Sequence, residues 1–259
     1  MSRNDPDYLD SVEKALRVLQ LFSPEQPAMT VSGAAQASGL SRPTARRVLL
    51  TLVRLGFAEV DGSSYRLTPR VLRLGYAYLS SQPFWSHLER PVRELSFELS
   101  ESCSVATLDG PDIVYVARSP ARRSISLTLG IGSRLPAFAT SMGRVLLASL
   151  PAAELDQFLA NGSFAQLTPT TETDPEKLRI ILAKVRTVGF AFVDGEREEG
   201  VRSAAVPIDG VGGDTIAALN VSVNSARVTL DTLIHDFVPK LLVTARDIGD
   251  EIAGLLPPP

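Results

Sequence analysis

The segment from Ser38 to Phe57, SGLSRPTARRVLLTLVRLGF, constrains the fold more than any other part of the chain. Ser41 is a favourable helix cap, Pro43 is tolerated in a first helical turn, and apolar side chains then recur at helical spacing as far as Gly56. The inward stripe consists of Ala45, Val48, Leu49 and Leu52. The segment is therefore predicted to form one amphipathic helix.

Two further helices are predicted before this one. Thr30 can cap a short helix that ends at Gly39, and the turn that follows is only SGLS. Two helices joined by a Gly-containing turn form a helix-turn-helix. The first helix of the chain is predicted from Asp10 to about Leu21, with Asp10 and Glu13 at the spacing of a capping box.

The residues after the third helix predict a β-hairpin. The stretch FAEVDGSSYRLT alternates in polarity around Asp61-Gly62, and Asp-Gly is a strong hairpin signal. Helix, turn, capped helix and hairpin in this order predict a winged helix-turn-helix over residues 1–68.

The exposed face of the third helix is basic, although the chain carries a formal net charge of -3. Residues 1–70 hold nine Lys/Arg and seven Asp/Glu, whereas residues 71–259 hold 17 and 22. An acidic chain does not coat nucleic acid along its whole surface, so a nucleic-acid site must be local. In a helix-turn-helix the second helix enters the DNA major groove, where its N-terminal residues contact bases and its arginines contact phosphates.

The predicted DNA-binding residues are Ser41, Arg42, Pro43, Thr44, Arg46 and Arg47 on the helix, with Ser63, Ser64 and Tyr65 at the hairpin tip. A basic helix face that is simply solvated is the alternative interpretation.

A linker helix is predicted over residues 69–84, starting at Thr68-Pro69. Its apolar residues, which include Leu72, Leu74 and Tyr78, leave little of its surface for water in a monomer. We therefore expect it to dimerise the chain, as suits a protein that contacts two half-sites about one turn of DNA apart.

Residues 85–259 are predicted to form an α+β domain. Turn segments such as LDGPD and DGVGGD indicate antiparallel hairpins and not a doubly wound sheet. Strands are expected near 102–108, 113–118, 124–130, 189–193, 201–208 and 215–223, and helices at 86–100, from Ser141, from Ala152, from Pro175 and, as a long amphipathic helix, at the end of the chain.

Catalytic, metal and cofactor sites are not predicted. Cys103 is the only cysteine, and His87 and His235 are the only histidines and lack a motif context. The serine in ATSMGRVLL does not lie in a nucleophile elbow, and the carboxylates of DGEREEG are better explained as a charged loop than as an acid/base site. No leader pattern and no run of roughly 20 apolar residues is present, so a cytoplasmic protein is expected.

Long blocks of the sequence resemble the IclR family of bacterial transcription regulators. The blocks in the first part are LDSVEKALRVLQLF, GLSRPTARRVLLTLVRLGFAE and YRLTPRVLRLG. Those in the second part are LGIGSRLPAFATSMGRVLLASL, GFAFVDGEREEGVRSAAVPI and AALNVSV. The second set is most similar to the subgroup that regulates aromatic-acid catabolism, the PcaR, PobR and PcaU type.

The resemblance implies a winged helix-turn-helix, a linker helix and a GAF-like effector-binding domain that encloses a small acidic metabolite. It also implies dimers that often pair into tetramers on DNA. Carried across by motif, the implied effector-binding residues are Ser141, Met142, Asp194, Ser203, Asn220 and Ser222.

Spacing bears on these residues independently, because Asn220 and Ser222 are two apart on a predicted strand and so share a face. Ser203, Asn220 and Ser222 have the alternative role of satisfying backbone groups at a sheet edge. Arg134 is a candidate partner for an effector carboxylate, with a surface ion pair as the alternative.

The sequence thus predicts a DNA-binding transcriptional regulator of aromatic catabolism genes, controlled by a small aromatic or dicarboxylic acid. Its partners are expected to be a double-stranded DNA operator, the acid and further copies of itself. An enzyme that acts on a small organic acid through the C-terminal domain and an effector-independent DNA-binding protein are the competing hypotheses.

Overall fold

The computed structural model describes residues 7–81, 85, 87–121 and 129–255. Contacts divide the chain into two units, Met1–Tyr78 and Leu79–Pro259. The division falls inside the predicted linker helix, and the predicted boundaries at 68/69 and 84/85 stay predictions. No helix among the described residues is both long enough and apolar enough to cross a membrane.

The first unit is a helix-turn-helix with a small sheet. Its elements are α1 (Asp10–Leu19), β1 (Ala28–Thr30), α2 (Val31–Ser38), α3 (Arg42–Arg54), β2 (Ala58–Asp61) and β3 (Ser64–Leu67). The three strands are antiparallel in the order β1-β3-β2, so the predicted hairpin gains a third strand, β1, which was not predicted. Helices and sheet share a core that includes Val18, Met29, Leu49 and Leu52.

Local capping chemistry explains the turn of the helix-turn-helix. The Thr30 hydroxyl accepts a hydrogen bond from the Gly33 amide at 3.1 Å, which satisfies a free donor at the start of α2. Gly39 ends α2 in the left-handed region at φ +67°, where a side chain is disfavoured. Both features were predicted.

The predicted capping box at the start of α1 is wrong. Leu9 occupies the cap position and makes no side-chain cap bond. Asp10 instead lies inside the helix, one turn from Lys14, and the two side chains form an ion pair. Glu13 pairs with Arg17 in the same way, and the helix ends at Leu19, two residues before the predicted end.

A 3-10 turn at Pro69–Val71 leads into α4 (Leu72–Ser81), which has no fully buried residue, although Leu79 packs partly buried against the core of the second unit. Leu72 is 74% exposed and Tyr76 71% exposed, and Leu74 and Tyr78 are exposed as well.

The second unit is built on a six-stranded antiparallel sheet. Its elements are α5 (Glu89–Leu99), β4 (Ser102–Asp109), β5 (Asp112–Ser119), β6 (Arg134–Pro136), α6 (Ser141–Ser149), α7 (Ala152–Asn161), α8 (Pro175–Val188), β7 (Ala191–Asp194), β8 (Val201–Asp209), β9 (Thr215–Asn224), α9 (Leu230–Thr232) and α10 (Val238–Leu255). The strand order is β6-β5-β4-β9-β8-β7. The antiparallel α+β architecture is confirmed.

Two differences from the predicted elements stand out. The predicted strand at 124–130 falls mainly on residues 122–128, outside the described residues, and β6 was not predicted. The C-terminal helical segment is also not one uniform helix, because a π turn at Leu233–Phe237 joins α9 to α10. Pro239 has no amide hydrogen to continue the regular hydrogen-bond ladder, which accounts for an irregularity at this point.

Helices cover both faces of the sheet. On one face α5 and α10 pack through residues such as Leu95 and Leu241 onto Val105, Leu219 and Val221. On the other face α6, α7 and α8 pack onto Ala106, Ala205 and Ala218. The second face therefore carries small side chains where the first carries large ones.

Candidate functional site

Helix α3 presents an exposed basic face in the first unit. Ala45, Leu49 and Leu52 are buried against the neighbouring helices, which leaves Arg42, Arg46 and Arg47 on the opposite, exposed side. The Ser41 hydroxyl accepts a hydrogen bond from the Thr44 amide at 3.3 Å and lies 2.8 Å from the Thr44 hydroxyl. The N-terminal turn is thereby fixed with its polar side chains toward solvent.

The arginines of this face lack carboxylate partners among the described residues. Arg42, Arg46 and Arg47 form no ion pair there, whereas exposed arginines elsewhere do, as Arg90 does with Glu94 and Arg93 with Glu89. Unpaired guanidinium groups on an exposed helix are available to phosphates.

Only two of the three DNA-binding residues predicted on the hairpin of β2 and β3 lie at its tip. Gly62 turns the chain at φ +60°, and Ser63 and Ser64 follow it at the tip. Tyr65, which we predicted beside them, is 8% exposed and packs in the core of the unit. Alternation along β3 accounts for the difference, because Ser64 and Arg66 point away from the side that Tyr65 occupies.

A cavity opens on the small-residue face of the six-stranded sheet. Ser102 of β4, Ser222 of β9 and Ser203 of β8 form one row across neighbouring strands. The next row is Ser104, Asn220 and Ala205. Side chains of this size do not fill the space under α6, so a hollow of about 700 Å³ remains.

The cavity wall mixes apolar, polar and charged groups. The apolar members include Leu129, Leu135, Ala139, Met142 and Val193, and the polar ones include Ser102, Ser141, Ser203, Asn220 and Ser222. The charged members among the described residues are Glu101, Arg118, Arg197, Glu198, Glu199 and Arg227. Such a volume and wall suit a small organic ligand with polar ends.

Asn220 has unused hydrogen-bonding capacity in this cavity. It is 3% exposed, its Nδ2 donates to the Ser222 hydroxyl at 3.0 Å, and its Oδ1 has no partner among the described residues. A half-turn of the amide would exchange the two roles and still leave one atom unpaired. A buried polar atom without a partner is costly, so a ligand that pairs with it gains affinity.

Five of the predicted effector-binding residues line this one cavity: Ser141, Met142, Ser203, Asn220 and Ser222. Ser141 and Ser203 are joined across it by a hydrogen bond of 2.9 Å between their hydroxyls. Their effector role stays a prediction.

Arg134 and Asp194 do not line the cavity. Arg134 is held on the surface by Asp109 and Asp112, whose carboxylates raise the pKa of its guanidinium. The surface ion pair that we weighed as its alternative role is thus the one present. Asp194 of the edge strand β7 accepts a hydrogen bond at 2.6 Å from Nη2 of Arg202, its partner on the neighbouring strand β8.

Tyr115 and Arg118 of β5 both line the cavity, and neither was predicted from the sequence. Residues three apart on a regular strand point to opposite faces. The pairing register shifts here, with Tyr115 opposite Ala106 and Ala117 opposite Val105, so Val116 is an extra residue in a β-bulge. The bulge returns Arg118 to the face of Tyr115.

An ion pair fixes the loop that forms the cavity mouth. Arg144 of α6 is buried and donates to both carboxylate oxygens of Glu196, at 2.7 and 2.6 Å, and to the Phe138 carbonyl at 3.0 Å. The Glu196 carbonyl accepts from Thr171 and its carboxylate from the Glu172 amide. The carboxylate of Glu196 therefore has a structural role. Its ion pair with Arg144 anchors the DGEREEG loop to α6, the helix that borders the cavity.

Cys103, His87 and His235 are each accounted for by burial or by an ion pair. Burial raises the pKa of the Cys103 thiol to about 12, so it is no nucleophile at neutral pH. His87 pairs with Glu251 and His235 with Asp231, both at exposed positions. The described residues contain no cluster of His, Cys, Asp or Glu that would hold a metal ion.

Two family models match the chain. The model described as the IclR helix-turn-helix domain matches residues 11–62. The model described as the bacterial transcriptional regulator IclR C-terminal domain matches residues 76–250, more than half of the chain. The first covers the basic helix and hairpin, and the second covers the sheet and its cavity.

Individual relatives cover nearly the whole chain. The Pca regulon regulatory protein of Pseudomonas putida is 41% identical over 96% of this chain and 86% of its own length. The p-hydroxybenzoate hydroxylase transcriptional activator of Acinetobacter baylyi is 34% identical over 93% of this chain and 91% of its own. A crystal structure of an IclR homologue from Microbacterium hydrocarbonoxydans, complexed with 4-hydroxybenzoate, is 25% identical, superposes with a TM-score of 0.80 and covers 94% of this chain and 99% of that one.

Proposed function

The chain belongs to the IclR family of bacterial transcriptional regulators, and from that premise we propose that a small aromatic or dicarboxylic acid binds in its cavity and controls its binding to DNA. The family consists of regulators and not of enzymes, so the enzyme hypothesis is set aside. The names of the relatives point to aromatic-acid catabolism as the regulated process.

The observation that carries the effector proposal is the unpaired amide atom of Asn220 in a cavity whose wall is about half apolar. Met142, Leu129 and Leu135 offer an apolar surface for a ring or chain, while Asn220 and the Ser141–Ser203 hydroxyl pair offer hydrogen bonds. A relative that holds 4-hydroxybenzoate supports an aromatic acid as the first class to test.

The DNA-binding surface is proposed to be the N-terminal half of α3 with the tip of the hairpin. Ser41, Arg42, Pro43, Thr44, Arg46, Arg47, Ser63 and Ser64 are its members. Tyr65 is left out because its side chain is buried in the core.

We infer that the chain acts as a dimer formed through α4, and that dimers pair into tetramers on DNA. Four large apolar side chains of α4 are exposed in the single chain, namely Leu72, Leu74, Tyr76 and Tyr78. Leu72 and Tyr76 lie on one side of the helix and Leu74 and Tyr78 on the other. Burial of such side chains against a second copy is favourable by about 25 cal/mol per Å² of apolar area.

Thermal unfolding of the full chain tests the effector proposal. A ligand that binds only the folded protein raises the melting temperature by mass action. We expect stabilisation by at least one of 4-hydroxybenzoate, protocatechuate and β-ketoadipate at millimolar concentration. The shift should be lost in Asn220→Ala and retained in Asn161→Ala, a matched change on the exposed end of α7.

Two results would count against the proposal. One is an absence of any shift across the three acids in the wild-type protein. The other is an equal shift in Asn220→Ala and the wild type, which would place the ligand away from the cavity.

A further inference from the structure

The end of α3 is bound by side chains that lead into α4. Thr68 and Arg70 flank Pro69 at the start of the 3-10 turn from which α4 continues. The Thr68 hydroxyl donates to the Gly56 carbonyl at 2.5 Å. Nη1 of Arg70 donates to the carbonyl of Leu55, the C-cap of α3, at 2.5 Å. Carbonyls at a helix end have no amide of the helix itself to pair with, so these two side chains supply the missing donors.

Thr68 acts on both sides of this junction. Its hydroxyl also accepts a hydrogen bond from the Arg70 amide at 3.3 Å, and its own amide donates to the Phe57 carbonyl at 3.0 Å. The same residue therefore caps the turn that starts α4 and holds the backbone that follows α3. A rotation of α4 about this junction would stretch or break these bonds.

The guanidinium of Arg70 lies directly on the backbone of Gly56. A Cβ atom at Gly56 would come within 3.0 Å of Nη1 and 3.2 Å of Cζ of this arginine. The positive charge also lies at the C-terminal end of α3, where the helix dipole favours a cation. No carboxylate of the described residues pairs with Arg70. Its contacts are thus made to the end of α3, although the side chain is exposed.

Within the first unit little else fixes the direction of α4. None of its residues is fully buried, and Leu72, Leu74 and Tyr76 are exposed. The core of the unit, as far as the structure describes it, is formed by α1 to α3 and the sheet and contains no residue of α4. The angle between α3 and α4 therefore depends on the junction at residues 68–70.

This angle matters in a dimer formed through α4, because the dimer presents two copies of α3 to DNA. Both copies reach the major groove only where the separation and orientation of the half-sites match their own. Two binding modules that are held rigidly gain affinity from each other only at the matching spacing, whereas modules on a loose connection accept other spacings.

We propose, building on the dimer and the DNA-binding surface described above, that Arg70 is a positioning residue for DNA recognition. Its bond to the Leu55 carbonyl fixes the angle between α3 and α4, and thereby the half-site spacing that the dimer accepts. Arg70 acts through α3 and makes no contact with DNA itself.

Binding of the full chain to two operators tests this role. The first is the operator recovered by selection from a random library. The second has two base pairs inserted between the half-sites, which moves them apart by about 7 Å and turns them by about 70°. Fluorescence anisotropy gives both affinities, and their ratio measures how strictly the protein selects the spacing. The wild type is expected to prefer the first operator by at least about tenfold.

Arg70→Ala is expected to reduce this ratio severalfold, because α4 is then held less firmly to α3. The slope of log K against log salt should stay as in the wild type, whereas the loss of a phosphate contact would lower it by about 0.9 per contact. Arg73→Ala is the matched control. Arg73 is exposed on the first turn of α4 and has no hydrogen bond or ion pair with any residue that the structure describes, so its loss should leave the ratio unchanged.

The outcomes separate this role from the function on which it rests. An equal ratio in Arg70→Ala and the wild type, a lowered salt slope, or an equal fall of the ratio in Arg73→Ala would each overturn the positioning role and leave the dimer in place. A wild type that binds both operators equally well would overturn the dimer with two DNA-binding surfaces, and the role of Arg70 with it.

Discussion

Gly143 allows α6 to pack closely against the backbone of Ala137. A Cβ atom at this position would lie 2.0 Å from the carbonyl oxygen of Ala137 and 2.3 Å from its Cα. These are backbone atoms, which cannot move aside as the end of a flexible side chain does. The helix that borders the cavity can thus approach the preceding turn only with glycine here.

Gly143→Ala is expected to lower the free energy of unfolding by about 3 kcal/mol, since the backbone of α6 or of residues 137–139 must shift. Urea denaturation followed by the fluorescence of Trp85, the sole tryptophan, measures the change.

Gly254→Ala is the matched control for this prediction. A Cβ at Gly254 meets no atom within 4 Å, so its stability should change by less than about 1 kcal/mol. Equal stability of Gly143→Ala and the wild type would contradict the packing described for α6.

Residue-scale prediction from sequence succeeded where the chemistry was local. Thr30, Gly39 and Ser41 act within four residues of their own position, so their patterns predict helix ends directly. Arg118 could not be placed, because its direction depends on a bulge set by pairing with a distant strand. Tyr65 was wrongly predicted at the hairpin tip. The turn consists of only two residues, Gly62 and Ser63, so Tyr65 already lies within β3, with its side chain on the buried face.

Helix α3 is expected to supply much of the affinity of the protein for DNA. Replacing both Arg46 and Arg47 by alanine should weaken operator binding by roughly tenfold or more and reduce the slope of log K against log salt by about 2, since each phosphate contact contributes about 0.9. Fluorescence anisotropy with operator DNA, recovered by selection from a random library, measures both quantities.

A double replacement of Arg90 and Arg93 by alanine is the control for α3. These arginines are also on an exposed helix but are paired with Glu94 and Glu89. Their loss should leave DNA affinity unchanged. A decrease as large as that of the α3 variant would mean that overall charge, and not α3, determines binding.

The exposed apolar side chains of α4 lead to a prediction about assembly. Leu72→Glu combined with Tyr76→Glu should convert the dimer to a monomer, because a charge on each partner would have to be buried against the other. Sedimentation velocity gives the mass. Ile180→Glu, an equally exposed apolar position on α8, is expected to leave the dimer intact, and a monomeric wild type would refute the dimerisation role of α4.

The order of helices and strands along the chain was predictable because each type of element has its own spacing of apolar residues. Helical spacing, Asp-Gly turns and short alternating strands predicted a winged helix-turn-helix and an antiparallel α+β unit, and both are confirmed. The cavity was not predictable from spacing alone. It arises because Ser102, Ser222 and Ser203, which are far apart in sequence, fall into one row across three strands.

The most direct test of the account measures the affinity of the full chain for its operator with and without saturating 4-hydroxybenzoate, and then the affinity for 4-hydroxybenzoate with and without operator. Linkage requires the two factors to be equal, and regulatory couplings are typically about 5- to 150-fold. We predict a factor in that range for the wild type and a factor near one for Asn220→Ala, which should still bind the operator. An operator affinity that 4-hydroxybenzoate leaves unchanged in the wild type, although the acid binds, would contradict control of DNA binding through the cavity.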